Sequence, residues 1–256
     1  MKTASKHKLH TLFYLVLLLC LQFQVTAQHV GDIQLNWLSG SDYNQSVGVS
    51  WGVPWKPGEV TSNQNFVLVN ENGGRFPLQW WPMAYWPDGS LKWTGFASVL
   101  PYNDLQRLWL SVGEKGASQP IKGENEIEIF EYTDAYTIST GLIKCRIPKF
   151  GEFLLDSIVK RNTLVALRGQ LKAIHQDGPD RELGKQPVQT EYTSRVDRVT
   201  LEQDGPTRAV FRIEGSHFSV EEGREWLPFI VRAYFYAEYD NIRLVHTVIY
   251  LSLIHI

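Results

Sequence analysis

The sequence predicts an all-β protein built as a barrel or a sandwich of antiparallel strands, and three observations predict it. No segment sustains the apolar period of an amphipathic helix. Short runs that alternate apolar and polar residues recur along the chain, as half-buried strands do. Turn chemistry separates them, including Asn72-Gly73-Gly74 and Asp88-Gly89. With 43% hydrophobic and 20% charged residues, the chain can bury a sizeable core.

In chain order the alternating runs are Ile33–Leu38, Val47–Trp51, Phe66–Val69, Leu91–Val99, Arg107–Val112, Glu126–Glu131, Tyr136–Thr140 and Leu142–Ile147. Four tryptophans fall between Trp80 and Trp93, in WWPMAYWPDGSLKW, around the turn Asp88-Gly89. Glycine takes positive φ without steric cost and Asp bonds the following backbone, so this block predicts a β-hairpin loaded with indoles. Longer strands follow. Val196–Gln203 and Arg208–Gly215 flank Asp204-Gly205-Pro206-Thr207, and Pro228–Tyr239 and Ile242–Tyr250 flank Asp240-Asn241, giving two further hairpins. Residues 113–125 are polar and glycine-rich without apolar period, which places a domain boundary there.

The first 27 residues read as a secretory leader: Lys2, Lys6 and Lys8, an apolar run from Leu12 to Leu21, then Val25-Thr26-Ala27 as a cleavage site. The apolar run is too short for a membrane span. Cys20 invites a lipidation reading, which Leu19 in front of it disfavours. The leader carries no acid, so its removal takes the net charge from −2 to −5. A mildly acidic body has no broad basic surface for nucleic acid, and a polyanionic sugar would need a local basic pocket. Cys145 is then the remaining cysteine; it alternates with Ile143 and Ile147 and is expected to be a buried thiol. At the other end, Leu251–Ile256 (LSLIHI) spells the translated terminus of a sequencing-library adapter. The expectation is an artefact at 251–256, with the natural protein continuing past Tyr250.

Two motifs resemble one family. Val49-Ser50-Trp51-Gly52-Val53-Pro54-Trp55-Lys56-Pro57-Gly58 and Trp86-Pro87-Asp88-Gly89-Ser90-Leu91-Lys92-Trp93 resemble segments of the N-terminal RIFT-barrel domain of exo-rhamnogalacturonan lyases and YetA-like proteins. Gly205-Pro206-Thr207-Arg208-Ala209-Val210, Glu214-Gly215 and Val245-His246-Thr247 resemble the start of that family's central β-sandwich. The resemblance implies an all-β chain: a leader over 1–27, a small RIFT-type β-barrel over 28–118 and an incomplete antiparallel β-sandwich over 119–250. It implies that the chain is the N-terminal fragment, inactive by itself, of a secreted or periplasmic polysaccharide lyase that cleaves the rhamnogalacturonan backbone of pectin, an acidic plant polysaccharide, by β-elimination. Charge and leader add that neither nucleic acid nor, after leader cleavage, membrane is expected as a partner. The alternative is a carbohydrate-binding or scaffold module without catalysis.

Lyase chemistry needs a base for the C5 proton, cations or donors for the carboxylate, and an acid for the leaving oxygen. Arg232, Tyr234 and Tyr236 share one strand face, so Arg232 is a candidate carboxylate clamp and Tyr236 a candidate acid. A solvated face with Tyr–Arg packing is the other reading. His246, which alternates with Leu244 and Val248, is a third catalytic candidate or a core histidine, and His217 is a weaker one. For sugar binding, Trp55 sits in a loop flanked by Pro54 and Pro57, where it is expected to be exposed. Trp80 and Trp81 are adjacent, so in a strand one faces the core and the other offers a platform. Trp86 and Trp93 are expected to pack the barrel. No metal-ligand motif occurs, and HExxH, GxSxG, CxxC and phosphate-loop patterns are lacking. No motif requires a cofactor; calcium is left open, the turn-rich stretch 175–185 being a solvated loop or, less well supported, a calcium site.

Overall fold

The computed structural model describes residues 32–36, 46–101, 107–113, 126–178 and 187–250. The expected leader, Cys20, the boundary segment 114–125, most of the charged loop before Pro187, and the terminal LSLIHI lie outside the described residues. Among those described there is no helix, hence none long enough to cross a membrane.

The first seven strands form two small sheets. One holds β1 (Ile33–Leu35), β7 (Leu108–Val112), β3 (Phe66–Asn70) and β4 (Arg75–Phe76), in that order. The other holds β2 (Val47–Pro54), β6 (Leu91–Leu100) and β5 (Gln79–Tyr85). Phe66 of the first sheet meets Phe96 of the second edge-on at 5.0 Å and Trp80 at 5.0 Å, while Trp51 stacks on Phe96 at 5.6 Å. These aromatic contacts, with Leu68, Leu91 and Leu110 fully buried, close the two sheets around one core.

The hairpin between β5 and β6 turns as its sequence predicts. Gly89 N donates to Trp86 O across Pro87-Asp88, and Gly89 takes φ 84°, the left-handed position that closes a type I turn with a bulge. Asp88 Oδ1 accepts from Ser90 N at 2.9 Å, and this bond network with Ser90 holds the Asp88 carboxyl below its usual range.

The remaining strands form a two-layer sandwich. One sheet runs β12 (Thr163–Gly169), β11 (Leu155–Lys160), β10 (Ile143–Pro148), β9 (Ala135–Ser139), β8 (Glu128–Glu131). The other runs β13 (Lys172–Gln176), β14 (Gln189–Gln203), β15 (Arg208–Ser219), β16 (Arg224–Tyr236), β17 (Arg243–Val248). Every pairing is antiparallel. Ile138, Cys145 and Ile147 of the first sheet pack against Ala209, Phe211, Ile213, Val231 and Phe235 of the second. At the edge of the sandwich, Leu244 and Val248 of β17 share the core-facing register with Ala233 and Phe229, yet both are exposed. Strands β4, β11, β12 and β13 fall outside the alternating runs read from the sequence. Strand β12 is exposed along both faces, so it carries no alternation to read.

Cys145 is fully buried, and that burial, with the charge of Asp156 second, pushes its thiol up to about 12. A neutral, enclosed thiol is unreactive. Cys145 is therefore expected to resist thiol-modifying reagents at about pH 8 in the folded chain and to react only as the sandwich unfolds, which labelling against a denaturant series checks.

Candidate functional site

The site is built where the outer face of β2–β6–β5 meets the outer face of β14–β17. Alternation along β2 sends Trp51 and Val53 inward and Gly48, Ser50 and Gly52 outward. The outward residues have little bulk, so the sandwich comes close. A Cβ on Gly48 would fall 2.4 Å from the Tyr236 ring. Gln79, outward on β5, accepts at Oε1 from Arg208 N (2.7 Å) and Thr207 N (3.2 Å), tying the barrel to the start of β15.

Arg208 occupies the centre of this seam at 8% exposure. Its Nη1 donates to Ser50 Oγ at 2.7 Å, and Nε and Nη2 donate to Gln203 Oε1, the former at 2.8 Å. The guanidinium lies 4.2 Å from the Trp81 ring centre and 5.6 Å from that of Tyr234. Among the described residues no carboxylate lies within ion-pair distance of it. Gln203 reaches Arg208 because β14 is bulged between Leu201 and Gln203, so that Glu202 is an extra residue and both side chains reach the outer face. Trp81, Glu202, Gln203, Arg208, Val210 and Tyr234 line a cleft of about 290 Å³.

Positive charge accumulates on the sheet leading to this cleft. Arg198, Arg208, Arg212, Arg232 and Arg243 stand there against Glu202 and Glu214. Arg232 grips Glu202 through Nε (2.7 Å) and Nη2 (2.8 Å), which holds the Glu202 carboxyl below its usual range. The excess of arginines is the local basic surface that a polyanionic sugar requires.

The sequence candidates are not brought together as a catalytic set. Arg232 and Tyr236 do share a face, but they stand four positions apart along the strand, roughly 13 Å at the usual rise. Arg232 as a free carboxylate clamp is corrected by its bidentate pairing with Glu202. Tyr236 is buried, its hydroxyl 2.5 Å from Ser50 Oγ, so it serves the seam and stands away from an exposed acid position. His246 pairs with Val231 and thus lies on the opposite face of the sheet. Partial burial, with His217 nearby, lowers its pKa and favours the neutral ring. His217 is buried with Nδ1 2.7 Å from Leu227 O; a carbonyl only accepts, so Nδ1 carries the proton.

The tryptophans redistribute. Trp55, expected to be exposed, is 4% exposed: its Nε1 donates to Thr94 Oγ1 at 2.9 Å and its ring packs 5.7 Å from Phe66. The loop folds back on the hairpin through Trp55 N to Lys92 O, Leu91 N to Val60 O and Gly58 N to Ser90 Oγ, so its prolines shape a plug and present no platform. Trp80 faces the barrel core and Trp81 the outside, as adjacency requires. Trp81, however, is packed on Gly95 and lies under Arg208, which leaves it no open stacking face. Trp93, expected in the core, is 40% exposed and lies over Gly52 on the outer face. Trp86 is half-buried, donating from Nε1 to Trp55 O at 3.0 Å. Sequence reasoning missed Arg208, Gln79 and Gln203. Alternation with Ala209 and Phe211 puts Arg208 on the outer face; nothing in the sequence says that a second domain covers it. Among the described residues no three His, Cys, Asp or Glu side chains converge as a metal site.

Two small sheets packed around an aromatic core, followed by an antiparallel sandwich and joined to it by an arginine-centred seam, define an all-β protein with a cleft at the seam. Family models for the PcRGLX-like N-terminal RIFT barrel domain and the PcRGLX-like protein central beta sandwich domain match residues 31–111 and 127–252. A relative, the uncharacterized protein YetA of Bacillus subtilis (strain 168), is 36% identical over 214 residues, 84% of this chain. The chain belongs to the PcRGLX-like family. It spans 24% of the length of YetA.

Two stability tests follow from the seam and the plug. Trp55→Ala should cost about 3–5 kcal/mol of unfolding free energy, as for a buried aromatic, measured by urea denaturation. Gln79→Leu strands the N–H groups of Thr207 and Arg208 and should cost about 1–3 kcal/mol for each group left unsatisfied.

Proposed function

We propose that this chain is the N-terminal part of a secreted lyase that cleaves the rhamnogalacturonan backbone of pectin by β-elimination. The observation that carries the reading is the ordered match to both PcRGLX-like domains. The basic surface around Arg208 supports it, because each galacturonate of the substrate carries a carboxylate. In the reaction a base takes the C5 proton of a galacturonate and that electron pair forms the C4–C5 double bond. The C4–O bond then breaks, and an acid protonates the departing oxygen. Neutralising the uronate carboxylate acidifies C5 and is the part of the chemistry this chain is suited to supply.

Among the described residues no base and acid converge on one point. The reading therefore assigns polymer gripping to this chain and proton transfer to further domains of a protein of YetA's length. A second reading, sugar binding without turnover, draws support from the exposed Trp93.

The test begins with the source DNA beyond codon 250. If the frame continues, the longer protein incubated with rhamnogalacturonan should generate the ultraviolet absorbance of an unsaturated uronate. Retained binding of the polymer without that absorbance would defeat the lyase reading in favour of the binding module.

A further inference from the structure

Gly52 and Gly95 are direct partners across β2 and β6, so their Cα atoms lie roughly 5 Å apart. A Cβ on Gly52 would meet Trp93 Nε1 at 2.4 Å, and one on Gly95 would meet Trp81 at 2.3 Å. Each indole therefore packs against a glycine, and the two glycines are partners, which makes an indole shelf on the outer face. The shelf continues into the cleft through Arg208, stacked 4.2 Å from Trp81. At one end Trp93 exposes 40% of its surface, and at the other sits a buried cation.

Buried guanidinium groups are ordinarily paired with an anion. Arg208 has three of its five N–H groups satisfied, by Gln203 and Ser50. One N–H on Nη1 and one on Nη2 have no partner among the described residues. Adjacent nitrogens with one donor each match the two oxygens of a carboxylate. Glu202, the acid that lines the same cleft, is neutralised by Arg232 and leaves the positive excess in place. An open indole face is what the apolar face of a pyranose ring packs against; a charged group beside it selects for an acidic sugar.

We infer that this shelf is a two-point subsite for a uronate-bearing saccharide. Trp93 takes the face of one sugar ring, and Arg208 takes the carboxylate of a neighbouring residue from within the cleft. The inference rests on the proposed function only for the choice of an acidic polysaccharide as ligand. It concerns binding and requires no turnover.

The test is equilibrium binding of the 256-residue chain to polygalacturonate and to its fully methyl-esterified form, with thermal melting as a folding control. The free acid should bind and the ester should bind at least about tenfold more weakly, since esterification removes the charge Arg208 engages. Trp93→Ala, a surface change, should weaken the acid about tenfold at unchanged melting temperature. Arg208→Gln should abolish the preference for acid over ester, whereas Arg146→Gln, which stands on the other sheet and pairs with Asp134, should not. Equal binding of acid and ester overturns the carboxylate contact. Wild-type affinity in Trp93→Ala overturns the stacking contact, and equal losses in Arg208→Gln and Arg146→Gln reduce the site to diffuse charge. If Arg208→Gln fails to fold, the ester comparison and Trp93→Ala decide. Binding as expected with no unsaturated product from the longer protein would sink the lyase reading and leave this subsite standing.

Discussion

The constraint on which this structure turns is the burial of one guanidinium between two β bodies. Arg208 is drawn out of water without a carboxylate, which is costly unless its donors are met and its faces are covered. Ser50 from the barrel and Gln203 from a bulge in the sandwich meet three of its five donors, and the Trp81 ring covers one face. Each comes from a different strand, so the position of Arg208 locks three strands at once. The absence of bulk at Gly48 lets Tyr236 reach Ser50 as well, and Gln79 fastens the backbone of Thr207 and Arg208 from the barrel side. The cleft and the indole shelf exist because these contacts bring the two outer faces together.

The two tryptophan-bearing motifs serve the barrel as one unit. Gly58 N bonds Ser90 Oγ, Leu91 N bonds Val60 O, and Trp86 Nε1 bonds Trp55 O. The indole of Trp55 buries a large apolar surface while its polar N–H is satisfied by Thr94, the condition under which a buried tryptophan stabilises. A segment rich in Trp, Pro and Gly that resembles a sugar-binding loop in composition is here mostly a closure device. Trp93 escapes that role because it shares its register with Pro54 and Gly52 on the outer side.

Much of the fold was legible because strands obey a period of two and hairpins obey turn chemistry. Asp88-Gly89 turned where it should, and 204–207 joined β14 to β15. The Trp80/Trp81 split followed from adjacency alone. The shared face of Arg232 and Tyr236 was equally readable, while their partners were not, since Glu202 and Ser50 arrive from distant parts of the chain. A bulge defeats alternation locally: counted by twos from Leu201, Gln203 belongs to the core, yet the extra residue at Glu202 turns it outward onto Arg208. Trp55 was misplaced because flanking prolines mark a loop without saying what the loop folds against.

The chain's chemistry is lopsided in a way that fits one share of an elimination reaction. Past residue 27 the chain carries an excess of acids, yet five arginines and two glutamates stand on the sheet beside the seam. Charge separated so strongly against the average acts as a local field for an anion. The titratable groups that could move protons are held elsewhere: Tyr236 is bonded at the seam, and His246 lies neutral on the opposite face. Under the proposed lyase reading, such a surface would hold the uronate carboxylate, and the proton at C5 would be taken by a group outside this seam.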